Sequence, residues 1–210
     1  MTKLKHLEYR SDIDGLRAIA VCAVVIFHAF PKKLIGGFIG VDIFFVISGY
    51  LITSIIYKNL DSDFSFYDFY VRRIKRIFPA LILVLTASIG FGWFALNAKE
   101  YMQIAKHSEA SSLFYTNFVL WKEAGYFDVT SQEKPLLHLW SLSIEEQFYI
   151  FWPFILWAAT KRRLNSLSIC ILIIVISFFK NIKASTKDPI EDFYSPLCRI
   201  WELMSGCCLA

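Results

Sequence analysis

Apolar residues arrive along this chain in long blocks. They do not follow the 3.6-residue period of an amphipathic surface helix or the alternation of a half-buried strand. Five blocks approach the roughly 20 apolar residues a helix needs to cross about 30 Å of hydrocarbon; they are 16–30, 34–57, 78–96, 139–160 and 164–179. A sixth starts at 197 and runs to 210. The first and fifth are short, so side chains such as Arg17 are expected to snorkel from their ends. Lys3, Lys5 and Arg10 before an apolar stretch imitate a signal peptide, but no small-x-small cleavage site follows His28 and the apolar pattern resumes at once. Segment 97–138 is too long for a bare loop, so 101–120 is expected to hold an amphipathic interfacial helix, followed by a turn region over 125–135. The expected fold is all-α, a polytopic membrane helix bundle with five complete spans and the start of a sixth.

Composition agrees with the pattern. The 210 residues are 56% hydrophobic and 19% charged, with mean hydropathy +0.49, against roughly 45–50% and 25% in soluble domains. With 36 aromatics and few Gly and Pro, a disordered chain, a collagen-like one and a disulfide scaffold are excluded. Net charge is only +4, and no basic stripe interleaved with aromatics points to nucleic acid. Cys22, Cys170, Cys198, Cys207 and Cys208 show no metal spacing and are expected to pack as small buried hydrophobes. The basic residues set an orientation: segments 1–13, 58–77 and 161–163 carry three, five and three, while 31–33, 97–138 and 180–198 carry two, four and three over nearly twice the length. By the positive-inside rule the first set, and the N-terminus, lie in the cytoplasm.

Charge inside a span costs a few kcal/mol, so each instance is a functional candidate. Arg17 and His28 are eleven residues apart, about three helical turns, so they share one face with a rise of about 16.5 Å. The alternative is a snorkelling Arg and an unrelated interfacial His. On the second block Asp42, Gly49 and Thr53 share a face with Ser48 beside it. Gly49 permits close approach by a ligand or by another backbone, as in a packing seam. The fourth block opens HLWSLSIEEQFY, placing His138, Ser141, Glu145 and Tyr149 or Trp152 on one stripe and Glu146 about 100° away. At the cytoplasmic side, Arg72, Arg73, Lys75 and Arg76 precede Pro79. They serve as topological anchors or as a phosphate-binding set, to which arginine's bidentate geometry is suited.

These segments resemble a known family. YRSDIDGLRAIAV…FHAF, with Arg17 and His28, is similar to the opening of the membrane acyltransferase-3 family, the bacterial O-acetyltransferases of surface polysaccharides. GFIGVDIFFVISGYLIT resembles its FFxxSG region at Phe44, Phe45, Ser48 and Gly49, and RRIKR its RRxxR loop at Arg72, Arg73 and Arg76. HLWSLSIEEQFYIFWP and FYSPLCRIWELMSG resemble later blocks, in the family's order. The resemblance implies a multi-pass protein of the bacterial inner membrane, with acetyl-CoA or another acyl-CoA as donor on the cytoplasmic side. The acceptor would be a hydroxyl of an extracytoplasmic glycan, such as lipopolysaccharide O-antigen or another surface polysaccharide. It also implies that Arg17 and His28 are essential and that Ser48, Gly49 and the basic loop help hold the donor. Because the family has more spans, the chain is expected to be its N-terminal part.

Acyl transfer to a hydroxyl requires a base, a charge stabiliser and a bound thioester. His28 is the candidate base, with Glu145 or Asp42 orienting its imidazole as the third group of a triad does. Asp42, His138 and Glu146 are candidates for acceptor contacts, His138 alternatively for a helix cap. Two variants remain open: His28 carrying the acyl group covalently, or Ser48 as nucleophile, although Ser48 points away from Asp42 and is expected to pack as a small residue. His6 and His107 are expected to be solvated, and no metal constellation is visible. The rival from another class is a transporter whose polar stripes relay protons with no covalent step. It predicts internal repeats and Gly/Pro-broken spans, which the chain lacks.

Overall fold

The computed structural model describes residues 9–60, 64–124 and 134–210; among them the chain is helical, with no strand. In chain order come α1 (Ser11–Ala29), a 3-10 turn (Gly37–Ile39), α2 (Gly40–Leu60), α3 (Phe66–Ala95), α4 (Ala98–Ser112), α5 (Thr116–Glu123), α6 (Leu139–Lys161), α7 (Ser166–Lys187), α8 (Pro189–Tyr194) and α9 (Pro196–Cys208). The segments Gly37–Leu60, Phe66–Ala95 and Ser166–Lys187 are long and apolar enough to cross a membrane. The protein is an all-α membrane helix bundle. α1 and α6 occupy two further predicted blocks but carry Asp12, Asp14 and Arg17, and Glu145 and Glu146. Large apolar side chains stay exposed on the outer faces, among them Leu83, Phe91, Trp93 and Phe94 on α3 and Leu172, Ile176 and Phe179 on α7. Such faces suit lipid rather than water.

The core forms where α2, α6 and α9 meet, from Phe45, Ile52, Ile56, Ile144, Phe148, Trp152, Leu203 and Met204. A buried hydrogen bond from Trp152 Nε1 to Thr53 Oγ1 (2.8 Å) ties α6 to α2. The α2–α9 crossing is set by two glycines. A Cβ on Gly49 would lie 1.8 Å from the Leu203 carbonyl oxygen, and one on Gly206 1.9 Å from that of Val46. The backbones touch there, so small residues govern the crossing.

Several boundaries differ from the sequence expectation. α3 starts at Phe66 rather than 78 and runs through both the basic cluster and Pro79. Its early start is capped by Ser65, which accepts from the Asp68 amide, and held on α6 by Phe66 stacking on Phe154 (4.6 Å) and by Tyr70 Oη donating to the Ile150 carbonyl (2.8 Å). α7 continues past 179 to Lys187, its polar end paired with α8 through Lys180–Glu191 (3.1 Å) and Asn181–Asp192 (2.7 Å). The expected interfacial helix is two, α4 and α5, the first opened by an Asn97–Glu100 capping box. His107 is buried, not solvated: it is 1% exposed and bonds Glu123 at 2.8 Å. Cys170, Cys198 and Cys207 are buried as expected, whereas Cys22 is exposed on α1. Lys3, Lys5, His6 and most of the expected 125–135 turn lie outside the described residues.

Candidate active site

One end of the bundle gathers His28, from the last turn of α1, and His138, at the N-cap of α6. Glu145 of α6 and Arg199 of α9 join them. With Phe27, Phe45, Trp140 and Phe193 among the apolar lining, these side chains surround a cavity of about 600 Å³. The rings of His28 and His138 meet edge to face, centroids 4.4 Å apart at 83°. His28 Nδ1 donates to the carbonyl of Val24 at 2.8 Å. A carbonyl only accepts, so this contact assigns the proton to Nδ1 and leaves Nε2 to face other chemistry. Burial, and then the nearby His28 ring, push the His138 imidazole below its ordinary range, which favours a neutral ring beside His28. His138 therefore faces His28, and its side chain makes no capping bond.

Glu145 Oε1 accepts from both Ser48 Oγ and Tyr149 Oη. The expected carboxylate partner of His28 is thus replaced by a backbone carbonyl, because the i−4 carbonyl lies within reach of a side chain on the same helix while Glu145 is held by α2 and its own next turn. Ser48, expected to pack as a small residue or to help hold the donor, supplies one of those bonds. Glu146 is buried on the neighbouring face, with Oε1 lacking a hydrogen-bond partner among the described residues. Asp42 does not reach His28 either; its Oδ1 accepts from Arg199 Nη1 at 3.2 Å. Gly49 is filled by the α9 backbone rather than open to a ligand.

Arg199 and Glu202 were not singled out from the sequence, although both sit in the RIWELMSG block. Arg199 Nη1 is shared between Asp42 and Glu202 Oε1 (2.7 Å), and its guanidinium lies over Trp140 and Phe193, 5.6 Å from each ring centroid. An arginine and a glutamate three residues apart in an otherwise apolar helix were the available signal.

The other end of α1 carries Arg17. It lines a separate cavity of about 440 Å³ with Tyr9, Arg10, Asp14, Tyr50 and Lys58, and Asp14 approaches it only to 3.8 Å. The α1 helix is unbroken, so Arg17 and His28, about 16.5 Å apart along its axis, line two different cavities. The side chains of the basic cluster do not share one face. Arg73 turns inward, its guanidinium 5.1 Å from the Tyr149 ring and 5.7 Å from that of Phe69, whereas Lys75 and Arg76 are exposed. On one helix, positions 72 and 76 share a face and 73 is rotated by about 100°.

Comparison with known proteins matches residues 10–210 to the acyltransferase-3 family, described as an acyltransferase domain. The chain is 39% identical over 218 aligned residues to a Bacillus subtilis (strain 168) protein named "Putative peptidoglycan O-acetyltransferase YrhL", covering 99% of this chain and 34% of that one. It is 34% identical to "Peptidoglycan O-acetyltransferase OatA" of Listeria monocytogenes (serovar 1/2a, strain EGD-e), over 97% of this chain and 34% of that protein. To a Staphylococcus aureus (strain MSSA476) protein named "Putative O-acetyltransferase" the identity is 45%, over 74% of this chain and 26% of the other. The chain thus spans about a third or less of the length of these relatives. No solved structure matches it.

Proposed function

Because the chain belongs to the acyltransferase-3 family, we propose that it forms part of a membrane O-acetyltransferase that passes an acetyl group across the bilayer. The donor is acetyl-CoA, docked on the cytoplasmic side at the Arg17 cavity. There Arg17, with Arg10 and Lys58 nearby, faces the anionic phosphates. The pantetheine arm runs along α1 and presents its thioester at the His28 cavity. His28 Nε2 takes the proton of the acceptor hydroxyl, which attacks the acyl carbon. Glu145, fixed by Ser48 and Tyr149, adds negative charge to the same cavity and favours the imidazolium as it forms.

Two of the relatives carry peptidoglycan in their names, so the acceptor we propose is a peptidoglycan glycan hydroxyl. The relatives lend no support to lipopolysaccharide O-antigen. The supporting observation is His28 itself, its Nδ1–H pinned on the Val24 carbonyl and its ring on the lining of a cavity. That is the arrangement a general base requires, an oriented ring with the Nε2 lone pair free to accept a proton.

The test is transfer of labelled acetyl from acetyl-CoA to a peptidoglycan fragment by the complete protein in vesicles. Wild type labels the fragment, and a folded His28→Ala variant is expected to lose about 100-fold or more of the rate. Unchanged labelling by that variant removes His28 from the mechanism. Movement of substrate across the vesicle without acetyl incorporation replaces the enzyme by a transporter.

A further inference from the structure

We infer that Arg199 is a second catalytic group of this transfer, its guanidinium receiving the negative charge that forms on the acyl oxygen when the acceptor hydroxyl adds to the thioester. The inference rests on the acyl-transfer reading above and concerns the same cavity.

Three features of the cavity lead to it. Among the side chains that line the His28 cavity, Arg199 alone carries a permanent positive charge. Its position is over-determined: Nη1 is held by Asp42 and Glu202, and the guanidinium lies over the Trp140 and Phe193 rings. Glu202 is itself only 2% exposed, while the Arg199 side chain keeps 15% exposure. Finally, the pairing is lopsided. Arginine–carboxylate pairs are frequently bidentate, fork to fork, with two nitrogens engaged. Here both carboxylates converge on one nitrogen, Nη1, and the buried Nε has no hydrogen-bond partner among the described residues. A cation fixed from behind, with a donor to spare, in a cavity walled by aromatic rings, is the arrangement that oxyanion stabilisation requires.

The step balances on these residues. The acceptor oxygen bonds to the acyl carbon as its proton passes to His28 Nε2, and the carbonyl electron pair moves onto the oxygen beside the Arg199 guanidinium. Collapse restores the carbonyl and breaks the carbon–sulfur bond, and His28 returns the proton to the departing thiolate. Asp42 and Glu202 act through Arg199 and are positioning residues in this scheme.

The test uses the complete protein in vesicles with labelled acetyl-CoA and a peptidoglycan fragment, comparing wild type, Arg199→Ala and the double variant Arg199→Gln/Glu202→Gln. The double variant removes Arg199 together with its deeply buried partner Glu202, a replacement that buried pairs tolerate far better than loss of one partner, and leaves Asp42, whose side chain is 29% exposed and within reach of solvent. Loss of an oxyanion donor predicts that kcat falls by about 100-fold in both variants, with KM for donor and acceptor changed by less than about threefold. The double variant should keep the wild-type thermal midpoint, and added guanidinium, but not ammonium, should restore turnover to Arg199→Ala. The inference is overturned if the folded double variant keeps kcat near wild type. It is equally overturned if guanidinium leaves Arg199→Ala unchanged, which would make Arg199 a structural residue while the acyl-transfer reading stands. No transfer by wild type overturns that reading and this inference together.

Discussion

Glu123, at the end of α5, holds the α4–α5 unit together through two lysines and a histidine, and replacing it with Gln tests how firmly. Its carboxylate accepts from Lys106 at 2.7 Å, His107 at 2.8 Å and Lys134 at 3.2 Å. Burial works to raise its pKa, but the hydrogen bonds from Lys106 and His107, with that from Lys134, outweigh burial and bring the carboxyl from 4.5 down to about 2. That difference corresponds to a ceiling of about 3 kcal/mol at about 1.4 kcal/mol per unit. Lys106 is more than half exposed, so screening reduces the realistic figure to about 2 kcal/mol. A carboxyl depressed by folding stabilises the native state above its unfolded pKa, and that stabilisation is lost as the pH falls through the folded pKa. Glu123→Gln should therefore lower stability by about 2 kcal/mol at pH 7. The gap to wild type should stay flat down to about pH 5.5 and shrink by roughly half by pH 3. Thermal unfolding of both proteins in detergent between pH 7 and pH 3, followed by tryptophan fluorescence, measures it. Equal midpoints at pH 7, or a gap that stays constant to pH 3, would refute the reasoning.

Two further predictions concern the bundle and the site. Gly49→Ala drives a Cβ into the Leu203 carbonyl and should cost about 1–3 kcal/mol by overpacking. Gly90→Ala on α3, where a Cβ meets nothing within 4 Å, should gain about 0.5–1 kcal/mol of helix propensity; equal thermal midpoints for the two variants would argue against the tight α2–α9 crossing. Tyr149→Phe keeps the ring under Arg73 but removes one of the two hydroxyl donors to Glu145. It should slow acetyl transfer by roughly tenfold without loss of fold, the worth of one charge-assisted bond, and wild-type turnover would detach Glu145 from the reaction.

The broad fold was legible because lipid imposes one rule, long apolar blocks, and that rule predicted a membrane helix bundle. Span boundaries were less legible where other forces extend a helix. At α3, aromatic packing of Phe66 and Tyr70 on α6 outweighs the break that Pro79 and the basic cluster suggested. The site was partly legible. Polar residues in apolar blocks pointed to His28, His138 and Glu145, and the structure places all three on one cavity. The pairings were not legible, since they cross helices distant in sequence. Asp42 and Arg199 meet across 157 positions, and Ser48 and Glu145 across 97. The burial of His107 was missed although its partner Glu123 is only 16 residues on, because the packing of α5 against α4 leaves no signal in the apolar pattern.

The central claim is that donor and acceptor enter at opposite ends of α1, so sidedness tests it most directly. Complete protein is oriented uniformly in sealed vesicles, with labelled acetyl-CoA confined to the Arg17 side and the peptidoglycan fragment to the His28 side. The account predicts label on the fragment in that arrangement, and none when acetyl-CoA is supplied only on the His28 side. Labelling that requires both substrates on the same side would contradict it.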